Sequence, residues 1–239
     1  MRGTQWNGSD RGVSARDEAR AKEGKQGAAP AGPATRRAAE REEAGKRVLL
    51  VTSGNYFLEK ALRSLGWKCE QVTPKEYEAR KLTGNDVVVF DRYVPKELPA
   101  DVNCLFIGEL PAGVGLKARL EGGKPVMDEN SFVGWKGGHP IGRARQADQN
   151  AGRKTRWYVA KGYELEASEG WEVVAEGTKG PLVVTGTWKG RMYEVLPFDV
   201  LQSDLPLKVD FPLLLLDSME YLATKKGDAG TRPADRRRD

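Results

Sequence analysis

The sequence is poor in the residues that most often carry metal and nucleophilic chemistry. Among 239 residues there is one histidine, His139, and there are two cysteines, Cys69 and Cys104. Zinc takes three or four protein ligands, so a lone histidine with no neighbouring thiol gives no metal framework, and neither a metal nor another cofactor is expected. Two cysteines cannot build a multi-bridge disulfide scaffold. Both fall in segments that read as strands, the second and the fourth. In a 2-1-3-4 strand order these lie three spacings apart, about 14 Å. A disulfide needs Cα atoms within about 7 Å, so two free, mostly buried thiols are expected. Long apolar runs are missing too. The densest, residues 211–216, is six residues long and contains Pro212, against the roughly 18–20 that a membrane helix needs. The N-terminus lacks the apolar stretch of a signal peptide. A soluble chain is expected, with its localisation otherwise open.

What is abundant is charge, and it is unevenly placed. Residues 1–46 hold 10 Lys/Arg against 7 Asp/Glu, and residues 224–239 hold 6 against 3; of the chain's 39 and 34, the middle keeps 23 and 24. The net charge of +5 therefore belongs to the ends. A nucleic-acid-binding domain carries its basic patch on the fold, so the near-neutral middle argues against specific nucleic-acid binding. Residues 1–46 are rich in Gly, Ala, Arg and Glu and cannot bury enough apolar surface to offset ordering; a disordered linker is expected there. A disordered basic tail ending in Arg236, Arg237 and Arg238 is expected over 224–239. One folded domain is expected over 47–223.

That domain opens on residues 47–66, RVLLVTSGNYFLEKALRSLG. Val48 to Val51 form a continuous apolar run, as in a strand covered on both faces. Thr52 to Asn55 supply turn and cap residues. Phe57, Leu58, Ala61, Leu62 and Leu65 follow at helical spacing, with Gly66 where a C-terminal cap belongs. A second, half-exposed strand is expected at 68–72 and a short helix at 74–82, led by Pro74. Buried strands are expected at 86–91 (DVVVFD) and 103–107 (NCLFI). From 112 to 153 the pattern dissolves, leaving short strands at 125–127 and 131–135. Strands are then expected at 155–160 and 171–175. A hairpin follows over 180–187 and 191–198, flanking Trp188-Lys189-Gly190, with Gly where positive φ is needed. A closing helix over 211–223 completes the fold. Alternating strands and helices of this kind predict a flavodoxin-like three-layer α/β sandwich, its sheet mostly parallel with a late antiparallel hairpin.

The ordered segments VLLVTSGNYFLEKALRSLG, DVVVFDRYVP, LFIGELP, GGHP and YEVLPFDVLQSDLPLKVDFPLLLLDSMEYL resemble one family. It is the class I glutamine amidotransferase-like domain of BatA-like, von Willebrand factor A (VWA) domain proteins, and the likeness covers about 47–223. Its most specific piece is Phe-Asp-x-x-x-Ser-Asp-Leu-Pro at 198–206, followed by Phe211-Pro212. The resemblance implies a domain that lies C-terminal to a VWA domain in a membrane-anchored protein, has no ascribed catalysis, and has VWA-domain or AAA-ATPase components as partners.

Working amidotransferases need a cysteine on a strand-to-helix elbow, a histidine to take its proton and a carboxylate to orient the histidine. The elbow should follow the fourth strand, where Gly108-Glu109-Leu110-Pro111 stands; Cys104 lies about five residues too early. The family's Phe-His-Pro-Glu setting is matched here by Phe198-Asp199-Val200-Leu201. A non-catalytic interaction module is therefore expected, with a small-ligand-binding or hydrolytic crevice at the strand ends as the alternative. Candidates for that crevice are Ser53, Asn55, Asp91, Glu109, His139, Asp199, Ser203 and Asp204. Ser53 and Asn55 open a helix and could seat an anion, or simply cap it. Carboxylates after strands can bind a hard cation, or satisfy loop backbone. His139 before Pro140 reads as a turn residue or as a general base. Trp157, Trp171 and Trp188 are expected to pack as one cluster or to form an exposed patch for a partner protein.

Overall fold

The computed structural model describes residues 46–78, 84–143, 145–146, 156–166 and 168–224. The expected linker before residue 46, the expected tail after 224 with its three arginines, and the far end of the 74–82 helix lie outside the described residues.

The four expected strands of the first half form β1 (Arg47–Val51), β2 (Lys68–Val72), β3 (Val87–Asp91) and β4 (Asn103–Ile107). Every residue of β3 and β4 is buried, as is all of β1 after Arg47. Later strands are β5 (Ala118–Glu121), β6 (Lys124–Pro125), β7 (Met127–Trp135), β8 (Tyr158–Gly162), β9 (Glu164–Leu165), β10 (Trp171–Gly177), β11 (Gly180–Trp188) and β12 (Arg191–Leu196). Nine strands make one sheet in the order β2-β1-β3-β4-β12-β11-β10-β7-β8. The first five are mutually parallel, which is the flavodoxin-like order 2-1-3-4-5. The remaining four run antiparallel.

This antiparallel block is larger than the expected hairpin. The 112–153 region supplies a nine-residue strand, β7, where two fragments were expected, and two strands, β5 and β6, of the small sheet β6-β5-β9 besides. Its sequence shows no clean alternation because β7 is buried only at Met127, Asn130, Phe132 and Trp135. The β11–β12 turn is as read. Lys189 and Gly190 have φ of 48° and 75°, the mirror-image turn that suits strand twist.

Among the described residues three α-helices accompany the sheet: α1 (Tyr56–Ser64), α2 (Pro74–Glu78) and α3 (Asp210–Thr224). Asn55 caps α1 by accepting from the Leu58 amide at 3.2 Å, and Gly66, at φ 76°, ends it. Two apolar cores flank the sheet. One joins Val48, Leu50, Val89 and Leu105 to Leu58 and Leu62 of α1 and to Leu214, Leu215 and Met219 of α3. The other joins Leu49, Val88, Phe90, Phe106 and Tyr193 to Tyr77 of α2, to Val114 and to Leu165 of β9. On that second face the described cover is one short helix, loops and the small sheet, where a layer of helices was expected.

The tryptophans are split between these faces, which corrects the expected single cluster. Trp157 stacks on Phe132 with ring centroids 5.0 Å apart in the first core. Trp171 and Trp188 pack against the second. β8 also folds back onto the segment after β12, where the Tyr163 amide donates to the Pro197 carbonyl at 2.7 Å. A Cβ at Gly162 would lie 2.4 Å from Met127 Cε and 2.6 Å from the Pro197 carbonyl oxygen. Because one obstacle is backbone, Gly162→Ala should cost about 1–3 kcal/mol in urea unfolding; an unchanged midpoint would show that this approach is loose.

Candidate functional site

Parallel α/β sheets present their ligand crevice at the carboxyl ends of the strands. Here four such ends converge. β1 runs into Thr52 and Asn55, β3 ends on Asp91 and Arg92, β4 runs into Gly108 and Glu109, and β12 into Phe198 and Asp199.

Asp91 is the centre of the arrangement and is 1% exposed. The Thr52 hydroxyl donates to its Oδ2 at 2.6 Å, and Asn55 Nδ2 donates to its Oδ1 at 3.1 Å. Arg92 Nη2 donates to Oδ2 at 3.2 Å and to the Gly54 carbonyl at 2.8 Å. Arg92 Nη1 lies 3.8 Å from Asp199 Oδ2. Arg92 has φ 52°, a left-handed backbone that a long side chain rarely takes. Asp199 turns its other oxygen, Oδ1, to cap a 3-10 turn by accepting from the Leu201 amide at 2.9 Å. Glu109 accepts from the Tyr163 hydroxyl at 2.7 Å; burial and that carboxylate both push the tyrosine pKa up.

The position after β4 is sterically closed. Gly108 has φ 81°, and a Cβ there would meet Arg92 Cγ at 3.0 Å and Asp199 Cα at 3.2 Å. No protein-family model matches the sequence, and no curated protein matches it either. Solved structures do. Two cytoplasmic proteins of Salmonella typhimurium superpose with TM-scores of 0.53. They are 12% and 14% identical, over 74% of this chain and 98% and 99% of theirs. A ThuA-like protein of Parabacteroides merdae superposes with TM-score 0.50 at 14% identity, over 80% of this chain and 94% of its own. The likeness is one of fold. It supports the expected α/β architecture with a mostly parallel sheet and says nothing of a VWA or BatA-like context.

Asn55, Asp91, Glu109 and Asp199 are thus brought to one end of the sheet. Ser53 sits there too, exposed in the turn before α1. The other three candidates lie elsewhere. The Ser203 hydroxyl donates to the Val200 carbonyl at 2.7 Å within the loop after β12, and Ser203 bridges Val159 of β8 through its backbone; Asp204 accepts from the Tyr158 amide at 2.7 Å, which ties the same loop to β8. His139 is buried against α3, its ring 4.9 Å from that of Tyr221. Its Nδ1 accepts from the Ile141 amide at 3.2 Å, which holds it as a turn residue. Cys104 is inside β4, and burial pushes its thiol pKa well up, the opposite of what a nucleophile needs. Both cysteines are free. Among the described residues no group of acidic, His or Cys side chains could hold a metal ion, and no helix is long and apolar enough to cross a membrane.

Residue reading overlooked Thr52, Arg92 and Tyr163, whose roles depend on tertiary neighbours. It also overlooked a buried polar group beneath α3. Glu194 of β12 is fully buried and accepts from the Ser218 hydroxyl at 2.6 Å. Nearby, Arg145 reaches Asp217 at 3.0 Å and lies 4.4 Å from the Trp135 ring centroid. A charged residue inside MYEVL, an otherwise apolar stretch, was the available signal for Glu194.

Proposed function

We propose that the chain is a non-catalytic, amidotransferase-like interaction module that works with VWA-domain and AAA-ATPase components. One observation supports it above the rest: the elbow position, about five residues after Cys104, is filled by Glu109, whose carboxylate accepts from the Tyr163 hydroxyl at 2.7 Å. Catalysis at an elbow requires an open position about 3 Å from both nucleophile and oxyanion donors. The surrounding carboxylates are engaged as well, Asp91 by three side chains and Glu109 by Tyr163. Apolar surface for a protein partner is present at the same end of the helices. Tyr56 is 68% exposed in the first turn of α1, and Leu207 and Val209, just before α3, are 77% and 73% exposed. The VWA context rests on the ordered segments that resemble BatA-like proteins.

The test is co-elution of the purified chain with VWA-domain and AAA-ATPase proteins from the same organism. Micromolar or tighter binding to at least one is expected, weakened tenfold or more, at least about 1.4 kcal/mol, by Tyr56→Asp combined with Val209→Asp. A chain that binds neither and turns over a small amide sinks the reading.

A second reading, a small-ligand crevice, is favoured by the left-handed backbone of Arg92, since strained residues gather at ligand sites. Its guanidinium is one-third exposed and contacts Asp199 only loosely. An anion displacing Asp199 would meet that guanidinium. Titration with acetate, malonate and phosphate should then shift the Arg92 Nε–H resonance at millimolar concentration; an unmoved resonance removes this reading.

A further inference from the structure

β2 stands at one end of the nine-stranded sheet and pairs only with β1 among the described residues. The Lys68 amide donates to the Lys46 carbonyl at 2.9 Å, and the Val72 carbonyl accepts from the Thr52 amide at 3.0 Å. Backbone groups of successive strand residues point to opposite edges. Lys68, Glu70 and Val72 therefore face β1, and the N–H and C=O groups of Cys69 and Gln71 face outward. No backbone partner meets these outward groups among the described residues. An edge of this kind is a template for one more strand.

Proteins commonly guard such edges with mixed charge, but the charge here is lopsided. A cleft of about 450 Å³ opens beside β2, lined by Arg47, Arg63 and Lys68 together with Trp67, Glu70 and other residues. Lys46 adds a fourth cation, 5.4 Å from the Trp67 ring centroid. Arg63 is paired with Glu59 at 3.2 Å, yet 55% of its side chain stays exposed. Side chains alternate along β2: Cys69 packs toward α1, while Val72 joins the opposite core. Cations thus flank the open edge from both faces, Arg63 on the α1 side and Lys68 on the other. Neighbouring acidic residues on an added strand would reach both.

We propose that the β2 edge binds an extended acidic peptide of a partner protein by strand addition. Its backbone pairs with Cys69 and Gln71, and its carboxylates meet Arg63 and Lys68. This inference rests on the interaction-module reading and gives that reading a partner chemistry. A nucleic-acid strand would match the charge but not the row of backbone donors and acceptors, so an extended peptide fits the surface better.

The experiment uses the full chain and a fluorescein-labelled peptide, TEEVTVT, read by anisotropy and by hydrogen exchange. Binding at micromolar to millimolar concentration is expected, with amide exchange at Cys69 and Gln71 slowed tenfold or more. The lysine counterpart TKKVTVT and a TEEVTVT peptide N-methylated at alternate residues should each bind at least tenfold more weakly. The surface double variant Arg63→Glu with Lys68→Glu should lose binding to the same extent while keeping its urea midpoint. Equal binding of the N-methylated peptide, undiminished binding by the double variant, or no binding at millimolar peptide would overturn the proposal. So would oligothymidylate binding without exchange protection at Cys69 and Gln71. If the double variant still co-elutes undiminished with a VWA-domain partner, the edge proposal falls and the module reading stands. If the wild-type chain co-elutes with no such partner while TEEVTVT binds as described, the VWA assembly falls and the edge proposal stands.

Discussion

Glutamine in place of Glu194 is expected to stabilise the protein at pH 8 and above, and to remove a pH dependence that the native chain shows below it. The carboxyl is fully buried on a central strand beneath α3. One oxygen accepts from Ser218, and the other has no hydrogen-bond partner among the described residues. Burial pushes its pKa up to about 8; Asp217 adds to the rise, while the Ser218 hydrogen bond and Arg145 oppose it. The sign follows from proton binding. In the unfolded chain the carboxyl ionises near 4.5, whereas in the folded chain it holds its proton until about 8. Between these values the native state binds more protons than the unfolded state, so this group's contribution to stability falls as pH rises, by up to about 1.4 kcal/mol per pH unit. The contribution is whole below pH 4.5 and gone above pH 8. A glutamine keeps an oxygen for Ser218 and cannot ionise, so the variant should gain on the order of 4 kcal/mol over wild type at pH 8. It should show no gain at pH 4. Urea unfolding of both chains from pH 4 to 9 gives the comparison, and parallel curves would show that Glu194 is not held protonated.

The second large effect is expected at Asp91. Alanine there removes the acceptor of two buried donors, the Thr52 hydroxyl and the Asn55 amide, and unties Arg92. Each donor left without a partner in the interior costs about 1–3 kcal/mol. A total loss near 3 kcal/mol is expected, equivalent to about 6–12 °C in Tm for a domain of this size. Asp91→Asn, which keeps one acceptor oxygen, should recover about half of it. The discriminating observation is where the damage appears. Hydrogen exchange should speed first at the start of α1, because Asn55 caps that helix while donating to Asp91. A loss confined to β3 would contradict a linking role.

The parts of this fold legible in the sequence are those fixed by local chemistry. Continuous apolar runs gave β1, β3 and β4, the Lys189-Gly190 pair gave the turn of the hairpin, and Pro212 and the leucines after it gave α3. The candidate site was legible only as a list of polar residues following strands. Which of them meet depends on how β12 inserts beside β4, and that pairing joins residues nearly ninety positions apart. Asp199 could be named, but its approach to Arg92 could not. His139 shows the converse: its sequence setting held both a turn and a general base, and only packing against Tyr221 separates them. Residues 112–153 stayed unreadable because β7 buries four of nine side chains, without strict alternation.

The proposal that this α/β sheet carries no amide chemistry is tested most directly by ammonia release. The purified chain is incubated with glutamine, asparagine and a set of small primary amides, beside its Cys104→Ala and Glu109→Gln variants. The expected result is release no faster than in buffer and the same for all three proteins. Release by the wild-type chain that either substitution abolishes would contradict the account.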